Sequence, residues 1–143
     1  MSEQGLLDRC RVVPVVVLDH PDQALPLGKA LLAGGIDVIE ITLRTDAGLA
    51  AIRQLGSLPG MLVGAGSVLV SDQVDQVVQA GARFVVSPGL SADVVLRCCF
   101  PQAARINTIA SANQLPPDLH MKDFAFKAVP SGRFSVALYM GGN

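Results

Sequence analysis

With no tryptophan, one tyrosine and five phenylalanines, this chain has almost no aromatic surface, so its core must be assembled from branched aliphatic side chains. Charge is also sparse. Eleven Lys and Arg against twelve Asp and Glu leave a net charge of −1, and no basic run is present. That excludes nucleic-acid binding as the main business, because phosphate backbones are held by clustered cations. The three cysteines are Cys10, Cys98 and Cys99. An odd count with one adjacent pair is neither a disulfide framework nor a metal-ligand spacing, and these thiols read as buried or incidental. His20 and His120 lie far apart without Cys or carboxylate partners at ligand spacing, so no metal is expected. No apolar stretch approaches the roughly 18 residues that a bilayer span needs. The first residues lack a basic region followed by an apolar segment. A cytoplasmic protein with no membrane partner is the resulting expectation.

What the chain has instead is aliphatic density. Half of its 143 residues are hydrophobic and the mean hydropathy is +0.46, enough for one domain with a real core. The apolar residues come in short runs such as Val12–Leu18, which suit strands covered on both faces, as in parallel sheets. After that run come Asp19-His20-Pro21 and a helical pattern with Leu25, Leu27, Ala30, Leu31 and Leu32, closed by Gly34-Gly35. Paired glycine is a good helix stop because the left-handed conformation costs it little. Pro26 belongs in the first turn of that helix or at a kink.

The pattern then repeats. Ile36–Thr42 reads as a strand, with Thr45 or Asp46 as cap of a helix that carries Leu49, Ile52 and Leu55 on one face. Met61–Val63 reads as a third strand leading into Gly64-Ala65-Gly66, and Ser71 as cap of a helix with Val74, Val77 and Val78 inward. Phe84–Val86 reads as a fourth strand ending at Ser87-Pro88-Gly89, with Ser91 capping a helix through Val94, Val95 and Leu96. Four consecutive βα units imply a parallel sheet with helical crossovers. The repeat alone does not separate an open doubly wound sheet from part of a (β/α)₈ barrel. The absence of Gly-x-Gly-x-x-Gly after the first strand removes the main sign of a dinucleotide fold. From about residue 98 the repeat breaks. Glycine is missing from Leu90 to Ser131, Pro116-Pro117 interrupts, and only Phe124–Val129 and Phe134–Met140 suggest strands. Two segments are therefore expected, 1–97 and a divergent tail over 98–143.

Four sequence features fall at the C-terminal ends of different strands, where parallel α/β folds place their ligands. Glu40 interrupts the apolar run Val38-Ile39-Glu40-Ile41. Burial disfavours a carboxylate's charged form and suits it to proton transfer near neutral pH, but pairing with Arg44 would explain it equally well. The planar fork of Arg44 suits a carboxylate or phosphate, or it is a plain surface arginine. Gly64-Ala65-Gly66-Ser67 allows backbone N–H groups to approach an anion and offers a hydroxyl, or it is a tight turn. Ser87-Pro88-Gly89 occupies the equivalent place after the fourth strand. In a barrel all four would converge on one mouth.

Val13-Pro14-Val15, Ala33-Gly34-Gly35, Glu40-Ile41-Thr42-Leu43-Arg44-Thr45, Gly64-Ala65-Gly66-Ser67-Val68 and Ser87-Pro88-Gly89-Leu90, in that order, closely resemble the family of 2-keto-3-deoxy-6-phosphogluconate (KDPG) and 4-hydroxy-2-oxoglutarate (KHG) aldolases over about residues 11–97. The resemblance implies a trimeric TIM barrel of the cytoplasmic Entner–Doudoroff pathway. It needs no cofactor and cleaves a small phosphorylated keto acid into pyruvate and glyceraldehyde 3-phosphate through a lysine Schiff base. It also implies Glu40 as the proton shuttle, Arg44 and Ser67 as substrate-holding groups and Pro88 as the wall of the pyruvate end. The family's usual threonine is Ser67 here, which keeps the hydroxyl. For the lysine, the family pattern Phe-Lys-x-Phe-Pro-Ala-Glu is matched in part by Phe126-Lys127-Ala128-Val129-Pro130-Ser131, 39 residues beyond Pro88 (127 − 88) as in the family. The second Phe, the Ala and the Glu are absent. Lys127 is thus the candidate nucleophile, with Lys122 as a second choice.

A TIM barrel needs about 200 residues or more, so the expected architecture is an incomplete barrel of about four βα units plus an irregular tail. A frame shift near the codons for Arg97–Cys99 would account for both the tail and the length, and the other reading frames of the coding DNA test that idea. The alternatives to the aldolase are an inactive remnant of it, or another phosphosugar-binding barrel enzyme without a Schiff base.

Overall fold

The computed structural model describes residues 12–88 and 91–99, together with the backbone of strands 124–128 and 134–139. Strand β1 is Val15–Val16. A single 3₁₀ turn, Pro21–Gln23, leads into α1, Ala24–Ala33. There follow β2 (Val38–Thr42), α2 (Ala47–Gly56), β3 (Leu62–Gly66), α3 (Ser71–Gln79), β4 (Phe84–Ser87), α4 (Ala92–Cys99), β5 (Phe124–Ala128) and β6 (Phe134–Tyr139). They form one sheet in the order β1-β2-β3-β4-β6-β5. The first four strands are mutually parallel. Strand β6 runs antiparallel to both β4 and β5, so β5 again points the same way as β1–β4. The expected boundary at 97/98 falls inside α4, and the sheet continues across it through β6.

Which way the helices lie decides between the two architectures left open by the βα repeat. Ile39, Ile41, Val63, Ala65 and Val85 alternate onto one face of the sheet. There they form a single cluster with Ala24 of α1, Ala51, Ile52 and Leu55 of α2, Val74 and Val77 of α3, and Val94 and Val95 of α4. All four helices thus cover the same face. A doubly wound sheet would carry helices on both faces, whereas a barrel wraps them around the outside. The opposite face has its own small cluster of Val38, Phe84 and Val86, with Val13 and Leu62 against it. That is the inner surface of an incomplete (β/α) barrel.

Local chemistry explains most boundaries. Pro26 is the third residue of α1, in the first turn, where no intrahelical N–H bond is lost. Gly35 at φ 80° turns the chain out of α1. Two caps differ from expectation. The Thr45 hydroxyl donates to the Leu18 carbonyl, tying the α2 entry to the end of the first strand segment, and Asp46 makes no side-chain cap bond. Ser71 is the first residue inside α3, and the capping acceptor is Gln73, whose Oε1 takes the N–H groups of Leu69 (2.7 Å) and Val70 (3.3 Å). Val78, expected inward, is exposed, because α3 buries only the narrower stripe of Val74 and Val77. Between α3 and α4, Arg97 grips Asp75 with both prongs of its fork, with Nε at 2.6 Å from Oδ1. That pairing holds the guanidinium pKa above its usual value.

Candidate active site

Strand β2 is buried along its whole length, and alternation sends Val38, Glu40 and Thr42 to the inner face. Glu40 is 5% exposed and Thr42 is 1% exposed. With Ser87 they are the buried polar residues among those described. The register pairs Glu40 with Gly64 and Thr42 with Gly66.

The two glycines make room rather than merely turn the chain. Strand β3 continues through Gly66 instead of ending at Val63, so Gly64 and Gly66 both sit in the ladder facing inward. A Cβ on Gly64 would collide with the Phe84 ring, and a Cβ on Gly66 would lie 2.9 Å from Glu40 Cδ. The Glu40 carboxylate therefore leans toward the C-terminal end of the sheet and occupies the space that a side chain at 66 would take. Glycine inside a strand commonly marks such a close approach.

Beyond the strands, the Leu43 N–H donates to the Gly66 carbonyl at 2.9 Å, and the Val68 N–H donates to the Val86 carbonyl at 3.2 Å, so the exits of β2, β3 and β4 are laced together. Ser67 sits between these ties with φ 59°, a left-handed conformation uncommon outside glycine and a mark of over-determined functional turns. Its Oγ accepts a hydrogen bond from Arg44 Nε at 3.3 Å. The exposed Arg44 keeps its terminal guanidinium nitrogens for another acceptor. Pro88 follows β4 and is exposed.

The structure thus joins Arg44 and Ser67 at the exits of β2 and β3, next to Gly66, over which the Glu40 carboxylate leans, with Pro88 after the next strand. Lys127 falls on β5, separated from β4 by β6. One rung joins Ser87, Val136 and Phe126, and Lys127 is one position further along, opposite Ser135. Thr42 is a site residue that the strand-end pattern does not single out. The signal was available, since a residue two positions from Glu40 shares its face of the strand. Among the described residues no cluster of three or more His, Cys, Asp or Glu could hold a metal ion, and no helix is long and apolar enough to cross a membrane.

The family model "KDPG and KHG aldolase" matches residues 4–140. The match therefore runs past residue 97 and takes in Lys127. The 2-dehydro-3-deoxy-phosphogluconate aldolase of Zymomonas mobilis is 40% identical over 120 residues, covering 84% of this chain and 58% of that protein. The KHG/KDPG aldolase of Escherichia coli is 38% identical over 129 residues, covering 87% and 60%. The chain thus spans about three-fifths of the length of these relatives. Among solved structures, the Legionella pneumophila KDPG aldolase, with pyruvate captured as a covalent carbinolamine, superimposes with a TM-score of 0.56 at 45% identity, covering 59% of this chain and 41% of that one. The Zymomonas mobilis aldolase with 3-phosphoglycerate gives 0.55 at 48% identity, covering 57% and 39%.

Proposed function

The chain belongs to the KDPG and KHG aldolase family, and on that premise we propose that it cleaves 2-keto-3-deoxy-6-phosphogluconate to pyruvate and glyceraldehyde 3-phosphate. The observation that carries this reading is the buried Glu40 on the inner face, lodged against Gly66, whose next residue Ser67 is bonded to Arg44. Such a carboxylate, screened from bulk water, is suited to moving protons. Arg44 and Ser67 supply a cation and a hydroxyl for the substrate's carboxylate, and Pro88 walls the pyruvate end.

Lys127 is the nucleophile in this reading. Its amine condenses with the keto group and loses water to give an iminium, and the iminium accepts the electron pair of the C–C bond that breaks. Two observations support it. Strand β5 runs parallel to β1–β4, and Lys127 is its fourth residue, near the same C-terminal end of the sheet that carries Arg44 and Ser67. The Legionella relative holds pyruvate as a carbinolamine, the adduct that precedes an imine. The same reading makes the protein a cytoplasmic homotrimer of the Entner–Doudoroff pathway that needs no cofactor. Borohydride reduction in the presence of pyruvate tests it: mass spectrometry should find the adduct on Lys127. An adduct on another lysine would move the site, and no adduct would remove the Schiff-base mechanism.

A further inference from the structure

We propose that the Thr42 hydroxyl is a direct substrate contact, holding the oxygen that exchanges its proton with Glu40. The inference rests on the aldolase reading and deepens it. Thr42 Oγ1 is buried and has no hydrogen-bond partner, on a residue 1% exposed. Buried hydroxyls are nearly always paired, and the exceptions call for a reason such as a catalytic role.

Three observations place that hydroxyl. Thr42 lies on the same face of β2 as Glu40, two residues further toward the C-terminal end. Its register partner is Gly66. The Glu40 carboxyl group leans into the space over Gly66, since a Cβ there would come within 2.9 Å of Glu40 Cδ. Carboxylate and hydroxyl therefore stand over the same rung on neighbouring strands, which lie about 4.8 Å apart. They make no hydrogen bond to each other. A substrate oxygen that enters between them would hydrogen-bond to both.

In cleavage, that oxygen is the substrate hydroxyl next to the bond that breaks. Glu40 removes its proton, the C–O bond becomes a carbonyl, and the adjacent C–C bond opens. The released pair passes into the iminium, which becomes a neutral enamine, and Glu40 is left protonated. Thr42 keeps its own proton throughout and donates it as a hydrogen bond to the oxygen as charge develops there, the situation in which a preorganised donor contributes most.

The test compares full-length wild type, Thr42→Val and Thr42→Ser in kcat, KM, thermal midpoint and borohydride trapping of pyruvate. Valine matches the shape of threonine without the hydroxyl. Removing an unpartnered buried polar group should leave the midpoint unchanged or raise it. The kcat of Thr42→Val should fall about 10- to 100-fold, with KM little changed and pyruvate still trapped, and Thr42→Ser should restore most of the turnover. If Thr42→Val keeps wild-type kcat, or loses activity only together with its thermal midpoint, the assignment is overturned while the aldolase reading stands. Wild type that neither cleaves substrate nor traps pyruvate overturns both.

Discussion

On the helix-covered face of the sheet, Ile39, Ile41, Val63, Ala65 and Val85 meet the inward stripes of four helices, and among the described residues the buried polar side chain that alternates onto this side is Ser87, at the end of β4. On the inner face, Val38, Phe84 and Val86 share the surface with Glu40, Thr42 and two glycines whose missing side chains leave room for their neighbours. The same strands carry both faces, one residue out of step. Aliphatic packing on one side supplies most of the stability, at about 1.5–3 kcal/mol for each fully buried large side chain. That surplus lets the other side keep a buried carboxylate and an unpartnered hydroxyl, the second of which opposes folding. Stability and chemistry are thus separable by alternate positions along one strand.

Substitutions that divide along this line sharpen the comparison, and any that blur it would break it. The largest effect is expected at Glu40. Glu40→Gln should lower kcat by about 10²- to 10⁴-fold with no loss in thermal midpoint, measured by turnover assay and calorimetry. Unchanged turnover would remove Glu40 from the mechanism. Next comes Gly66→Ala, which leaves the carboxylate intact but takes the space it occupies. Displacing a catalytic group by about 1 Å can cost 10²-fold, so kcat should fall on that order while the fold survives through rotation of the flexible Glu40 side chain. On the other face the expected pattern reverses. Ile52→Ala should destabilise by about 2–5 kcal/mol in urea titration, with kcat of the folded fraction near wild type. The smallest effect should come from Asp75→Asn, which weakens the partly exposed Arg97 clamp between α3 and α4. A slight fall in the urea midpoint is expected, and added salt should shrink it.

Much of the fold was legible because apolar periodicity reports directly on burial. The helices carrying Leu49, Ile52 and Leu55, or Val74 and Val77, follow from spacing alone, whereas proline's missing N–H left Pro26 open between a first turn and a kink, and the structure has the first turn. The strand at Ile36–Thr42 was read nearly to its observed limits. What spacing did not give was the side of the sheet on which the helices lie, because helical crossovers give the same βα repeat in a barrel and in a doubly wound sheet.

Caps were legible only in part, since Thr45 had a better acceptor in the Leu18 carbonyl, a residue distant in sequence. The site was readable where the residue type itself was out of place, as with Glu40 in an apolar run. Arg44 and Ser67 could be read only as separate strand-end residues, and their contact depends on the register of β2 against β3. The sequence suggests Gly66 as a point where backbone N–H groups approach an anion, or as part of a tight turn, whereas in the structure its part is to be empty. Thr42 escapes notice because threonine is an ordinary strand residue; its place two positions from Glu40 is a weak signal, and its burial without a partner is the strong one.

The strand order has a consequence for the chain during its own synthesis. Each of β2, β3 and β4 pairs with the strand made just before it, so the parallel part of the sheet can grow from its N-terminal side as residues leave the ribosome, each new βα unit adding to a finished edge. Such sequential closure uses short loops and avoids long waits for distant partners. The last two strands reverse this logic. Strand β5 emerges before β6 yet reaches the sheet only through it, so the segment that carries Lys127 must wait for a later strand before it joins the sheet.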